Sequence, residues 1–229
     1  MHESLIDRCE AALRREVLDG LLEPGQRLPP ERDLAQRFGV NRVTVRSALA
    51  RLKSAGLLEA RQGRGTTVRD SRRTGGLDLL PDLARQARER GELPAMAEEL
   101  FLIRLHLARA LLERISERRP EPAPFHQALA RFSLTDTQDL EALARADGEV
   151  LAALVELSGS PVLQLCLNPV RSLLAEQPDL RRAMYRAPAT NAAGWAALGV
   201  WLEDPVPDGI EFIVSLIRER DAATVEALR

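Results

Sequence analysis

Apolar residues recur every three to four positions along residues 4–19, the spacing of an amphipathic helix. The apolar positions of this helix are Leu5, Cys9, Ala12, Leu13 and Val17. Glu23-Pro24-Gly25 interrupts the pattern, and Arg27-Leu28 follows as a short extended piece. We therefore expect the chain to open with one helix and a turn.

Two shorter helices are predicted next, with a turn between them. The first begins at Pro30, because a proline in the first turn of a helix removes no hydrogen bond, and it ends at Gly39. Asn41 is a suitable N-cap for the second helix, which runs to about Ser54 and stops at Gly56. Its apolar stripe consists of Val45, Ala48, Leu49 and Leu52. The pattern predicts a helix-turn-helix.

Two strands are predicted after these helices, over residues 57–61 and 66–69, around the turn Gln62-Gly63-Arg64-Gly65. The order helix, helix, turn, helix, hairpin is that of a winged helix-turn-helix. Residues 71–76 read as a linker because they are polar and end in two glycines.

The rest of the chain carries helical patterns separated by Pro, Gly or Ser. The predicted helices are 77–90, 94–117, 124–132, 136–157, 161–176, 178–185, 191–202 and 206–228. Their Leu and Ala stripes predict a helical bundle. The expected fold class is mainly α: a winged helix-turn-helix over 1–70, a linker over 71–76, and an all-helical effector-binding and dimerisation domain over 77–229.

Charge is distributed unevenly along the chain. The whole sequence has a net charge of −2, but residues 27–73 hold 12 basic and 4 acidic side chains. After residue 73, 24 acidic side chains outnumber 17 basic ones. A basic segment followed by an acidic one indicates that a polyanion binds to the first part only.

Composition excludes several classes of protein. No apolar run approaches the ~20 residues that span a bilayer, and the first residues do not resemble a signal peptide, so we expect a cytoplasmic protein without membrane association. The two cysteines, Cys9 and Cys166, lie among apolar neighbours and read as small buried hydrophobes. No nucleophile–base set or carboxylate pair stands at a catalytic spacing, so we expect no enzyme activity.

The second helix of the helix-turn-helix carries side chains suited to reading DNA. Arg42 and Arg46 lie one turn apart near its start, and arginine makes paired contacts with guanine O6 and N7. Arg32 could hold a phosphate or a base edge, and Arg64 between two glycines suits the minor groove. The DNA-binding candidates are Arg32, Asn41, Arg42, Thr44, Arg46, Gln62, Gly63 and Arg64. Solvation explains any single arginine, whereas the ordered set favours DNA binding.

Residues 24–35, PGQRLPPERDLA, resemble the PG-x-x-LP-(S/A)-ER-x-LA opening of GntR-family regulators. The pattern continues through residues 39–46, 56–58 and 62–68, so the resemblance covers about 25–70. It implies a dimer that binds a pseudo-palindromic operator in double-stranded DNA. The family's DNA-contact positions fall on Arg32, Asn41, Arg42, Arg46, Gln62 and Gly63.

The all-helical second half is similar to the FadR branch of that family, with matching segments at 76–80 and 158–161. Many members of the branch hold a divalent metal through an Asp, a His four residues later, and two more His. Asp147 fits the first position, but Leu151 occupies the second and no histidine follows His126. We therefore expect no metal and no cofactor, and Asp147 as a helix-surface or capping residue.

Two small-molecule effectors remain open. The resemblance to fatty-acid-responsive members implies an acyl-CoA, for which an Ala/Leu-rich bundle could open an apolar tunnel, although a packed core uses the same residues. The alternative is a small carboxylate metabolite held by Arg104. Leu151 and Trp195 are the other effector-binding candidates. Trp195 and Trp201 could both line the cavity, although core filling is the more common role of such residues.

These patterns together predict a sequence-specific transcriptional repressor or activator that acts as a homodimer under the control of an effector. The competing class is a helical adaptor without specific DNA readout. An adaptor would explain the helical second half, but it leaves the arginine-bearing helix-turn-helix unexplained.

Overall fold

The computed structural model describes residues 4–61 and 65–229, which form two compact units divided between Gln86 and Ala87. The predicted fold class is confirmed: a helical first unit carries one small antiparallel hairpin, and helices build the described second unit. The division falls after the segment that the sequence marks as a linker, so residues 77–86 belong to the first unit.

The first unit follows the predicted order of elements. These are α1 (Leu5–Leu18), α2 (Glu31–Phe38), α3 (Arg42–Ser54), β1 (Leu58–Arg61) and β2 (Gly65–Val68). Ser4 caps α1, because its hydroxyl accepts the Asp7 N–H at 3.1 Å while Asp7 reaches back to the Ser4 N–H. Pro30 occupies the N-cap of α2, which makes this helix begin one position later than predicted.

The turn between α2 and α3 is built by two residues, as predicted. Gly39 ends α2 in the left-handed conformation, with φ 62°. Asn41 then caps α3, since its Oδ1 accepts the Thr44 N–H at 2.8 Å. The first turn of α3 is therefore fixed by its own cap.

The hairpin confirms the predicted wing to within one residue at each end. β1 and β2 are antiparallel, with Leu58 opposite Val68. Arg27 bridges to Thr67, and the Leu28 N–H donates to the Thr66 carbonyl at 2.9 Å. The extended segment before α2 thus pairs with β2 on the side away from β1.

Gly56 lies where α3, β1 and the following chain meet. Its φ of +72° is left-handed, and a Cβ at this position would clash with the Thr74 carbonyl oxygen. The Thr74 hydroxyl also donates to the Gly56 carbonyl at 2.7 Å. The chain after the wing is therefore held against the end of α3.

Residues 71–76, which the sequence marks as a linker, contain regular secondary structure. They contain α4 (Ser71–Thr74), whose N-cap Asp70 accepts the Arg72 N–H at 3.1 Å. A 3-10 turn at Leu77–Leu79 and α5 (Leu80–Glu89) replace the single helix predicted over 77–90. Leu79 joins the core of the first unit, and Gln86 Nε2 donates to the Leu18 carbonyl at 2.8 Å.

The second unit is a bundle in which α6 packs along α12 and α7 packs on α8. Its helices are α6 (Leu93–Arg118), α7 (Ala123–Ser133), α8 (Leu140–Leu157), α9 (Pro161–Glu176), α10 (Pro178–Met184), α11 (Pro188–Glu203) and α12 (Ile210–Leu228). α8 begins later than predicted because Asp139 caps it, accepting the Ala142 N–H at 2.9 Å. In the described parts of the chain, no helix is long and apolar enough to cross a membrane.

Candidate DNA-reading surface and effector cavity

The start of α3 presents a short row of exposed side chains: Arg42, Val43 and Arg46. Val45 and Thr44 point the other way, since both are buried in the first unit. Arg42 makes no ion pair with any residue that the structure describes, so its guanidinium is available to a ligand.

Arg46 is held by an acidic side chain from the preceding helix. Its Nη2 lies 3.0 Å from Glu31 Oε2, and both side chains are at the surface. The hydrogen bond from Arg46 lowers the pKa of Glu31, and the same bond raises the pKa of Arg46. The pair fixes the direction of the Arg46 side chain while leaving most of it exposed.

Two further arginines of the same unit lie outside this row. Arg32 is largely exposed and its Nε lies 3.0 Å from Asp33 Oδ1. The Arg27 guanidinium covers Gly65 so closely that a Cβ there would lie 3.0 Å from its Nε. Arg27 was not among the sequence candidates, and its only signal was the extended pattern before α2.

The remaining DNA-binding candidates differ in their positions. Asn41 caps α3, and Thr44 is buried. The exposed residue at this point of the helix is Val43, which the sequence analysis did not select. Gln62, Gly63 and Arg64 lie outside the described residues, and their part in DNA binding stays a prediction.

The helical unit contains a cavity of about 790 Å³, within the range of small-molecule sites. Aliphatic side chains of several helices form most of its wall. The three effector candidates, Arg104, Leu151 and Trp195, all line it. Trp201 is buried elsewhere in the core, where its Nε1 donates to the Val206 carbonyl at 3.0 Å.

Asp147 is not the surface or capping residue that the sequence predicted. It is 7% exposed, and its Oδ1 accepts a 2.6 Å hydrogen bond from Trp195 Nε1 in the cavity wall. Tyr185 is buried beside it; this burial, reinforced by the Asp147 charge, raises the pKa of the phenol. The expectation was wrong because the partner, Trp195, comes from a helix far along the chain.

Arg104 is buried, at 6% exposed, and forms an ion pair with Asp221 of α12. Its guanidinium carbon also lies 5.0 Å from the centre of the Phe101 ring. Arg104 Nε and Asn191 Nδ2, both on cavity-lining residues, have no hydrogen-bond partner among the described groups. The charge of Arg104 is thus already neutralised from within the unit.

The divalent metal site of the FadR branch does not fit these residues. Asp147 is engaged by Trp195, and Leu151, one turn later, supplies no ligand atom. Within 4–61 and 65–229, no three His, Cys, Asp or Glu side chains are grouped closely enough to hold a metal ion.

A second cavity of about 590 Å³ in the same unit has several charged side chains in its wall. It is lined by four arginines: Arg88, Arg182, Arg186 and Arg229. Asp179 pairs with two of these, with Arg88 Nε at 3.1 Å and with Arg182. Arg229 pairs with Glu98 and, at 3.2 Å, with Glu226. Arg186 and Ala183 line both cavities, so Arg186 is the one arginine of this set that also borders the apolar cavity.

Comparisons with known proteins agree on the family. Residues 5–68 match the family model described as bacterial regulatory proteins of the gntR family. The HTH-type transcriptional regulator Mce2R of Mycobacterium tuberculosis is 40% identical over 167 residues, which are 72% of this chain and 67% of that one. A fatty acid metabolism regulator protein of Yersinia pestis is 33% identical over 165 residues, again 72% of this chain and 67% of that one.

A solved structure shares the fold of the whole chain. It is Lar, which controls the expression of the Listeria monocytogenes agr system and mediates virulence. The TM-score is 0.61 at 16% identity, and the match covers 100% of this chain and 98% of that chain. The matches in sequence show that the chain belongs to the GntR family: it is a DNA-binding transcriptional regulator and not an enzyme.

Proposed function

We propose that this regulator binds a pseudo-palindromic operator as a homodimer, with α3 of each subunit in the major groove of one half-site. The exposed pair Arg42 and Arg46 in the first turns of α3 carries this proposal, because a helix reads base edges mainly through its N-terminal residues. One recognition helix covers only one half-site, so a palindrome requires two chains related by two-fold symmetry.

The test of DNA reading is a duplex selected by the protein from a random library, followed by titration of each single-base variant. Arg42→Ala and Arg46→Ala should each cost about 1–3 kcal/mol of specific binding and relax the preference at one operator position. Arg15→Ala, an exposed arginine of α1, is the matched control and should leave the preference unchanged. An equal loss on every sequence would instead make the two arginines phosphate contacts.

Stoichiometry tests the dimer separately. Light scattering on the free protein and on its complex should give two chains per molecule and two chains per operator. A monomer at micromolar concentration, with and without DNA, would contradict the homodimer.

We further propose that the protein is a cytoplasmic repressor whose effector is an acyl-CoA bound in the helical unit. The aliphatic wall of the 790 Å³ cavity supports an apolar chain, and Arg186, which borders both this cavity and the second one, supports a phosphate-bearing head group. The name of the Yersinia relative, a fatty acid metabolism regulator, agrees with this class of ligand.

A small carboxylate is the second candidate, and Arg104 is the residue that would hold it. The ion pair with Asp221 counts against this role, because a carboxylate ligand would have to displace a partner that is already buried with Arg104. The unpartnered donors Arg104 Nε and Asn191 Nδ2 favour some oxygen acceptor in the ligand, which a thioester carbonyl also provides.

Effector titration separates the two candidates. Palmitoyl-CoA should release operator DNA, whereas free CoA and citrate should not. An effector releases DNA only to the extent that it binds the DNA-free protein more tightly than the DNA-bound protein. Leu151→Trp, which fills the cavity, should abolish release while DNA binding persists; Leu134→Trp, at an exposed site outside the cavity, should not. Release by citrate alone would favour the carboxylate, and equal release by CoA would remove the acyl tunnel.

A further inference from the structure

Val43 is an apolar side chain in the middle of the exposed row on α3. It is 70% exposed, whereas Val45 on the opposite face is 0% exposed and belongs to the core of the unit. Val43 follows Arg42 in the first turn, and the cap made by Asn41 fixes the backbone of that turn. A valine in a helix has one strongly preferred χ1 rotamer, so its two methyl groups point in a fixed direction.

Major-groove base edges offer only one apolar group, the C5-methyl of thymine. The other groups on these edges are hydrogen-bond donors and acceptors, which Arg42 and Arg46 suit and Val43 does not. A valine placed over cytosine N4 or adenine N6 would remove water from a donor without replacing its hydrogen bond, which is unfavourable.

We propose that Val43 packs against the C5-methyl group of one thymine in each operator half-site and thereby selects T·A at that position. This rests on the proposed placement of α3 in the major groove. Val43 thus adds an apolar contact with DNA between the polar contacts of Arg42 and Arg46. The preference for T·A at this operator position then depends on the methyl group of thymine.

The test replaces each thymine of the selected duplex by deoxyuridine, which pairs identically but lacks the methyl group. At one position per half-site, deoxyuridine should weaken wild-type binding about fourfold, the factor for one buried methyl group. Val43→Ala should bind the thymine duplex less tightly, and deoxyuridine should weaken its binding by clearly less than fourfold, because the shorter side chain makes less contact with the methyl group. Since Val43 is mostly exposed, the variant should keep the wild-type melting temperature.

Leu21→Ala is the matched control, because Leu21 is an equally exposed aliphatic residue of the same unit outside α3. It should retain the full fourfold sensitivity to deoxyuridine. A wild-type protein indifferent to deoxyuridine at every thymine, or a Val43→Ala variant as sensitive as wild type, overturns the proposal while leaving operator binding intact. Failure to enrich any duplex would instead overturn the reading of DNA by α3, and the role of Val43 with it.

Discussion

Trp195 Nε1 donates a 2.6 Å hydrogen bond to the Asp147 carboxylate, and both side chains are buried in the wall of the large cavity. Asp147→Ala removes the acceptor and leaves a buried indole N–H without a partner. We expect a loss of about 1–3 kcal/mol in the free energy of unfolding, measured by urea denaturation. Asp147→Asn keeps an acceptor oxygen and should lose less.

The matched control for Asp147 is Asp208→Ala, at an exposed position of the same unit. It should unfold at the wild-type urea concentration. If Asp147→Ala did so as well, the hydrogen bond to Trp195 would have no energetic weight.

Tyr185 is the only tyrosine of the chain, so its ionisation can be followed by absorbance without ambiguity. Burial, and next the nearby charge of Asp147, raise its pKa above the usual 10.0. A raised pKa in the folded state favours the neutral phenol, so this contribution to stability is complete below pH 10 and decreases as the pH rises further. We expect no tyrosinate absorbance in native protein at pH values where urea-unfolded protein already titrates. Titration near pH 10 with the fold intact would contradict the burial of this phenol.

The ion pair between Arg104 and Asp221 should stabilise the helical unit only as a pair. Arg104→Met leaves a buried carboxylate unpaired and should cost about 3–5 kcal/mol of stability, whereas the double variant with Asp221→Leu should recover most of that loss. Urea denaturation of the single and double variants measures the difference. Arg109→Ala is the control, since its pair with Glu211 is exposed and should contribute nothing measurable. A double variant no more stable than Arg104→Met would refute the coupling.

We expect Glu31 to weaken the attraction of Arg46 for DNA, because the Glu31 carboxylate is paired with the guanidinium that would contact a phosphate or base. Glu31→Gln should raise the affinity for non-operator DNA and steepen its dependence on salt concentration. Glu23→Gln, which changes an exposed acid of the same unit outside the helix-turn-helix, is the control for net charge. An equal gain in both variants would show that only the net charge matters, and not the contact with Arg46.

Local signals explain what the sequence predicted well. Gly39 and Asn41 act within a few residues of their own positions, so the turn, the start of α3 and the wing could be predicted from neighbours alone. The contacts that were missed join distant residues. Gln86 bonds to Leu18, and Asp147 to Trp195, and no periodicity in either segment encodes such a partner.

In the candidate sites too, local features could be predicted and contacts between distant residues could not. The arginines of α3 are visible from spacing, but which neighbour faces outward, Val43 or Thr44, depends on how the helix rests on its unit. Likewise, the sequence near Arg104 does not show its ion-pair partner. Asp221 reaches Arg104 only because α12 packs against α6.

Gly56 has a consequence for how defective variants of this protein would be understood. It touches no nucleic acid in the proposed complex, yet any side chain there collides with Thr74 and disturbs the end of the helix that carries Arg42 and Arg46. A genetic screen for lost operator binding would therefore recover substitutions at this glycine alongside true contact residues. The two classes would separate by melting temperature, because replacing Gly56 weakens the fold, whereas replacing Arg42 leaves the fold unchanged and weakens only operator binding.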